Sequence, residues 1–123
     1  MDEIKGRLIA PLENMQHIAS YFKEREGFDC LVTEEGFAAY KILGEECYIR
    51  DIFIQPDYRK RGYAAVLADT ITHIAKRKGC KYLSGSVSTA VNDPTTSTKV
   101  LIAYGFKIVS AIQGGIWFRK DIE

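Results

Sequence analysis

Histidine, cysteine and proline are scarce in this sequence, and the shortages remove several classes of function. The two histidines, His17 and His73, stand far apart, and neither lies at ligand spacing from Cys30, Cys47 or Cys80. A zinc site is therefore not expected, and no metal is assigned. The cysteines are odd in number and form no C-x-x-C pair, which argues for reduced thiols among apolar neighbours rather than a disulfide framework. An excess of charge of one sign is missing too: 17 Lys and Arg stand against 16 Asp and Glu, a formal net charge of +1. Nucleic-acid binders carry a broad basic field. The clusters Arg59-Lys60-Arg61 and Lys76-Arg77-Lys78 do not amount to one, and no nucleic-acid partner is expected. Apolar runs do not exceed about five residues, against roughly 20 for a membrane-spanning helix. The opening Met1-Asp2-Glu3-Ile4-Lys5 has no signal-peptide core. No membrane partner is expected, and the expected location is the cytoplasm.

What is present is an ordinary globular composition, 46% hydrophobic and 27% charged over 123 residues. That is enough for one core, and residues 1–123 read as a single domain without repeats or linkers. Alternation over Glu3–Ile9 predicts a short edge strand. Leu12, Met15, Ile18, Ala19 and Phe22 then form one helical stripe that starts near Pro11 and ends at Gly27. Phe28–Thr33 and Phe37–Leu43 read as a hairpin joined by Glu34-Glu35-Gly36. A longer strand, Cys47–Ile54, is closed by Pro56. Gly62–Lys78 reads as the main helix, with Leu67, Ile71, Ile74 and Ala75 inward and Gly79 at its end. A strand over Cys80–Val87, a polar loop over Thr89–Thr96 and a short helix over Ser97–Tyr104 follow. The end reads as a hairpin, Phe106–Ile112 and Ile116–Lys120, turned by Gln113-Gly114-Gly115. The predicted order is β-α-β-β-β-α-β-α-β-β, a mixed sheet with helices on its faces.

The stretch that carries chemistry is Ile52–Ala65: a strand, a basic loop, then Gly62 opening a long helix. Free N–H groups at a helix start, backed by the helix dipole, suit a phosphate-bearing ligand. Gly62, Ala64 and Ala65 let that ligand come close, and Arg59, Lys60 and Arg61 add positive charge. A solvated charged turn with a packing glycine is the competing reading. Neither G-x-x-x-x-G-K-S/T nor G-x-G-x-x-G occurs, so a P-loop or Rossmann site is not supported.

Arg59-Lys60-Arg61-Gly62-Tyr63-Ala64 resembles the R/Q-x-x-G-x-G/A pyrophosphate loop of the GNAT acetyltransferase superfamily. The lead-in Asp51-Ile52-Phe53-Ile54-Gln55-Pro56-Asp57-Tyr58 and the later Ser97–Phe106 segment, which runs through Gly105-Phe106, resemble that family in the same order. The matching motifs lie within residues 47–109. The resemblance implies a GNAT-like fold with a central splayed sheet and an N-acetyltransferase using acetyl-CoA as co-substrate. In that reading the acetyl group passes to a primary amine by direct attack. The amides of Arg61, Gly62, Tyr63, Ala64 and Ala65 would hold the CoA pyrophosphate, beside the charges of Arg59 and Lys60. Ile52, Phe53 and Ile54 would pair by backbone with the pantetheine arm, and Asn92 and Ser97 would touch it from the last helix. The acceptor would be a small-molecule or peptide amine.

Three features depart from the family pattern. Leu101 stands where the family often has a tyrosine acid. Tyr104, one turn on, is the substitute, either as that acid or as a core aromatic. Asn92 lies thirteen residues before Gly105, beyond the usual register. One helix stands between the first strands where the family has two, which implies a shallow acceptor side or one completed by a second subunit. That shortness, with Ile116, Trp117 and Phe118 near the end, raises a homodimer. Asp51 is the candidate base for the acceptor ammonium, or else a partner of Arg50, Arg59 or a backbone group; Glu46 and Tyr48 are the runners-up. The alternative function is a CoA-binding regulatory or interaction module with little catalysis.

Overall fold

A computed structural model describes the backbone of residues 2–4, 7–9, 12–89 and 94–123, and the side chains of residues 16–89 and 98–123. In chain order the elements are β1 (Asp2–Ile4), β2 (Arg7–Ile9), α1 (Leu12–Tyr21), a π-helical turn (Phe22–Glu26), β3 (Asp29–Val32), β4 (Gly36–Leu43) and β5 (Glu46–Ile54). A 3-10 turn (Pro56–Tyr58), α2 (Tyr63–Arg77), β6 (Tyr82–Ser88), α3 (Pro94–Tyr104), β7 (Lys107–Ile112) and β8 (Gly115–Asp121) follow. The expected mixed α and β class holds. Hydrogen-bonded neighbours run β3-β4-β5-β6-β8-β7 in a six-stranded mixed sheet, and β1 and β2 pair separately.

Beyond shifts of one or two residues at strand and helix ends, four features differ from the sequence reading. The single strand expected over Glu3–Ile9 is a two-strand pair, with Glu3 opposite Leu8. The first helix ends in the π-helical turn before Gly27 caps it at φ 71. The last helix begins at Pro94, which needs no N–H at a first helical position. The final hairpin turns on Gln113-Gly114 alone: Gly114 has φ 88, whereas Gly115 is already in β8.

The chain divides into two compact units, Met1–Lys41 with Ile49–His73 and Ile42–Tyr48 with Ile74–Glu123. In the first unit β3 and β4 form an antiparallel hairpin with Cys30 opposite Ala39. Ala38 and Ala39 are fully buried, as are Tyr40 and Ile54 nearly so. Helix α2 contributes Leu67, Ala68 and Ile71, spaced so that one helical stripe is buried and the opposite face, with Val66 and Asp69, is exposed.

In the second unit β6 pairs in parallel with β5, Cys47 opposite Leu83, and antiparallel with β8 along its whole length. Strand pleating sorts the residues into two faces. Cys47, Leu83, Val87 and Phe118 are buried on one face. Glu46, Tyr48, Ser84, Ser86, Trp117 and Arg119 share the other, by register. Burial pushes the Cys47 thiol up to about 12, with further raising from Cys80 and Glu46, and the Cys30 thiol up to about 11. Both stay protonated near neutral pH and are poor nucleophiles there.

Candidate active site

The first unit contains the strand, loop and helix start singled out in the sequence. Gln55 precedes Pro56 and is extended, with φ −58 and ψ 143, as residues before proline are. After the 3-10 turn, Arg59 is extended and Lys60 has φ 62, the one non-glycine residue with positive φ among the described residues. Gly62 follows at φ 86. A non-glycine residue in the left-handed region is uncommon and such positions collect at ligand-binding segments. Chain that alternates in hand in this way turns successive amides toward a common concavity.

Helix α2 then starts with the bond from Val66 N–H to Gly62 O, 3.2 Å. The N–H groups of Tyr63, Ala64 and Ala65 therefore have no acceptor within the helix. A Cβ built on Gly62 would meet nothing within 4 Å. The glycine answers to its backbone angle and to open space above the amides, not to packing. Lys60 and Arg61 are exposed beside that space. These are the properties a phosphate-bearing cofactor requires, and they fit the CoA pyrophosphate.

The end of β5 is held from behind by the turn that joins β3 to β4. Gln55 N–H donates to Glu35 O at 2.8 Å, and the Gln55 side-chain Nε2 donates to Glu34 O at 2.8 Å. Gln55 is 6% exposed, unusual for its type, and these bonds are why burial is tolerated. Gly36 lies so close that an added Cβ would stand 1.9 Å from Phe53 O and 2.9 Å from Ile54 Cα. Arg59 completes the brace: its Nε–H donates to Ile54 O at 2.8 Å and its guanidinium lies 5.5 Å over the Phe53 ring. Sequence reasoning took Arg59 as charge for the phosphates; here it also fixes the strand end.

Gly36 and Gln55 were missed as functional positions, because their partners lie about twenty residues away and no local pattern marks them. Overpacking against backbone costs roughly 1–3 kcal/mol. Gly36→Ala is expected to lose about that much stability in chemical denaturation and to weaken acetyl-CoA binding. Unaltered values of both would show that the turn does not hold the loop.

Asp51 is exposed, with 56% of its side chain accessible, and its Oδ2 lies 3.6 Å from Arg50 Nε. The neighbouring arginine is thus the partner that the sequence left open, but at a long and solvated separation. Arg50 is occupied mainly elsewhere: it pairs with Glu26 and lies 5.5 Å over Phe22 and 5.3 Å over Phe28. Partial burial raises the Asp51 carboxyl above its ordinary value, against the lowering pull of Arg50. A carboxylate that is not tightly paired and holds its proton more readily is the better general base.

The second unit holds the runners-up. Glu46 accepts a hydrogen bond from the Ser84 hydroxyl, and Tyr48 Oη lies 3.4 Å from Ser86 Oγ. Tyr104, half-buried, stacks on Phe106 with ring centroids 6.1 Å apart, and the Lys120 ammonium lies 5.5 Å over its ring. Ser97 is in the first turns of α3, though its side chain lies outside the described residues, as does Asn92 altogether. Ile52, Phe53, Ile54 and Arg59–Ala65 are therefore brought into one unit, and Tyr104 and Ser97 into the other.

The loop geometry and the family comparison agree. The chain belongs to the acetyltransferase (GNAT) family, whose sequence profile matches residues 7–97. Its members are acyltransferases that use acetyl-CoA. No curated protein matches the sequence. Among solved structures, an acetyltransferase of the GNAT family from Desulfovibrio desulfuricans superposes with a TM-score of 0.75 at 14% identity, over 89% of this chain and 80% of that one. The PaiA N-acetyltransferase of Thermoplasma acidophilum, in complex with coenzyme A, gives 0.67 at 16% identity, over 86% and 78%. The ribosomal-protein-S18-alanine N-acetyltransferase of Escherichia coli gives 0.65 at 14% identity, over 94% and 92%. At these identities the likeness is one of fold.

Proposed function

We propose that this protein is an N-acetyltransferase that passes the acetyl group of acetyl-CoA directly to a primary amine. The observation that carries the reading is the loop from Arg59 to Gly62, with its left-handed Lys60 and Gly62 and the open amides of Tyr63, Ala64 and Ala65. Arg61–Ala65 would hold the pyrophosphate by backbone, with Lys60 and Arg61 as neutralising charge and Arg59 shared with the strand end. Ile52, Phe53 and Ile54 would pair with the pantetheine arm, and Ser97 and Asn92 are the further residues that the family pattern assigns to it. An amide of that strand segment would polarise the thioester oxygen. Asp51 would take a proton from the acceptor ammonium. The amine nitrogen then attacks the thioester carbon, the C–S bond breaks, and the CoA thiolate takes up a proton. Tyr104 is the candidate donor of that last proton.

A panel of small and peptide amines with acetyl-CoA and a free-thiol readout tests the reading. Thiol release that depends on the amine supports it. CoA binding without turnover on any amine would favour the alternative, a CoA-binding regulatory or interaction module, which the Leu101 position suits.

A homodimer belongs to the same proposal. Phe118 is 1% exposed and fills its own core, so it has no surface to offer a partner. The outer strand β7 instead exposes Ile108, Val109 and Ile112, at 49%, 59% and 64%. Light scattering at high micromolar concentration is expected to give twice the chain mass; a monomer mass there ends the dimer.

A further inference from the structure

Trp117, the sole tryptophan of the chain, is 41% exposed in the middle of β8. Register places it opposite Ser86, whose hydroxyl lies 3.4 Å from Tyr48 Oη. Two residues along β8 is Gly115, and a Cβ there would come within 3.8 Å of the indole Nε1. The indole thus leans toward a glycine, which has no side chain of its own to cover it. On the same sheet face Glu46 is held by the Ser84 hydroxyl, with one carboxylate oxygen used in that bond. An indole, a phenol, two hydroxyls and a carboxylate therefore share one stretch of sheet, with the indole exposed and Ser84 buried.

The nearest cation on that face is already committed. Arg119, opposite Ser84, lies 3.8 Å over the Tyr82 ring and donates from Nε to Asp121 at 2.9 Å. Both partners draw it toward the start of β6, away from Ser86 and Trp117. Lys107, opposite Arg119 on β7, stands on the same face at that same end. Around Trp117, Tyr48 and Ser86 the described residues are anionic and π-rich, which suits a cation carried on an apolar stem. Indole is the ring face that attracts an ammonium most strongly.

We propose that Trp117, Tyr48 and Glu46 form a binding site for an alkylammonium group, the stem lying on the indole and the charge directed to Tyr48, Ser86 and Glu46. Resting on the acetyltransferase reading, this deepens it: the site names the acceptor as an ammonium on an unbranched apolar stem, and Trp117 as a residue that selects it. Tyr48 and Ile52, the latter in the segment proposed to hold the thioester, belong to the same strand. Such an ammonium occurs at the end of a free diamine and on a lysine side chain.

Because the chain has a single tryptophan, its intrinsic fluorescence reports this site alone. The probes are cadaverine and Nα-acetyl-lysine amide, with 1-pentanol as an uncharged stem of the same length. Saturable change with cadaverine alone assigns a free diamine, and with the lysine derivative alone or with both assigns a lysine-type side chain. Glu46→Gln, which keeps the fluorophore, is expected to weaken amine binding about tenfold, as is Trp117→Ala in acceptor KM, with Trp117→Tyr recovering most of that loss. No saturable response to either amine, an equal response to pentanol, or wild-type binding by Glu46→Gln each overturns the site. Amines that bind here but are never acetylated would instead sink the catalytic reading and leave the site standing. Amines that are acetylated without any Trp117 response would do the reverse.

Discussion

Gly62→Asp is expected to abolish the rise in melting temperature that acetyl-CoA gives the native protein. A ligand present at a hundred times its dissociation constant stabilises a folded chain by about 2.7 kcal/mol, so the native shift is readily measured and its loss is complete rather than graded. The substitution acts on binding more than on folding, and the structure shows why. Gly62 has φ 86, and aspartate is among the side chains that least resist the left-handed region. Its Cβ would meet nothing within 4 Å. The new carboxylate would instead stand above the amides of Tyr63, Ala64 and Ala65, in the space and with the charge sign of the phosphates it displaces. Gly62→Asn, equal in shape but neutral, is expected to keep part of the shift. If Gly62→Asp responds to acetyl-CoA as the native protein does, the pyrophosphate is held elsewhere.

The loop was legible in the sequence because its determinants are local. A strand closed by proline, a run of cations and a glycine before a helix all lie within a dozen residues, and each constrains its immediate neighbours. The stripe of Leu67 and Ile71 on the following helix was legible for the same reason, since burial there follows the helical period. What failed to show was whatever depends on distant pairing. Nothing near Gly36 announces that Phe53 O will lie against it, and Gln55 reads as a surface residue until Glu34 and Glu35 supply its partners. Strand parity separated Asp51 from Glu46 and Tyr48 but could not tell that Glu46 would be engaged by Ser84 across the sheet. The π-helical turn at Phe22–Glu26 escaped because Phe22 continues the apolar stripe of an ordinary helix and the charged Lys23-Glu24-Arg25-Glu26 after it does not mark the change in hydrogen bonding. Alternation gives Ile116, Trp117 and Phe118 two faces without saying which is the core: Phe118 fills it and Trp117 stays exposed.

Asp51→Asn is expected to lower kcat by about 10²–10⁴-fold while acetyl-CoA binding stays near native. The acceptor must lose a proton before it attacks, since a lysine-like ammonium has a pKa of about 10.4. The proposed cofactor contacts are backbone amides, which the substitution leaves in place. Stability separates this role from a structural one, and the sign follows from the raised carboxyl. A folded state that holds the Asp51 proton more tightly than the unfolded chain gains stability at low pH. That gain is lost as pH rises through the raised folded value. Near neutral pH the ionised Asp51 therefore contributes no net stabilisation, and replacing it with a neutral isostere is expected to leave the melting temperature unchanged or slightly higher. A carboxylate kept for its pairing with Arg50 predicts the opposite: a lower melting temperature at neutral pH and near-native kcat in the folded fraction. The 3.6 Å separation and the 56% exposure of the side chain make that pairing weak. Native kcat in Asp51→Asn on an identified acceptor would remove Asp51 as the base. Glu46, bound to Ser84, and Tyr48, beside Ser86, would then be the groups left to accept the proton.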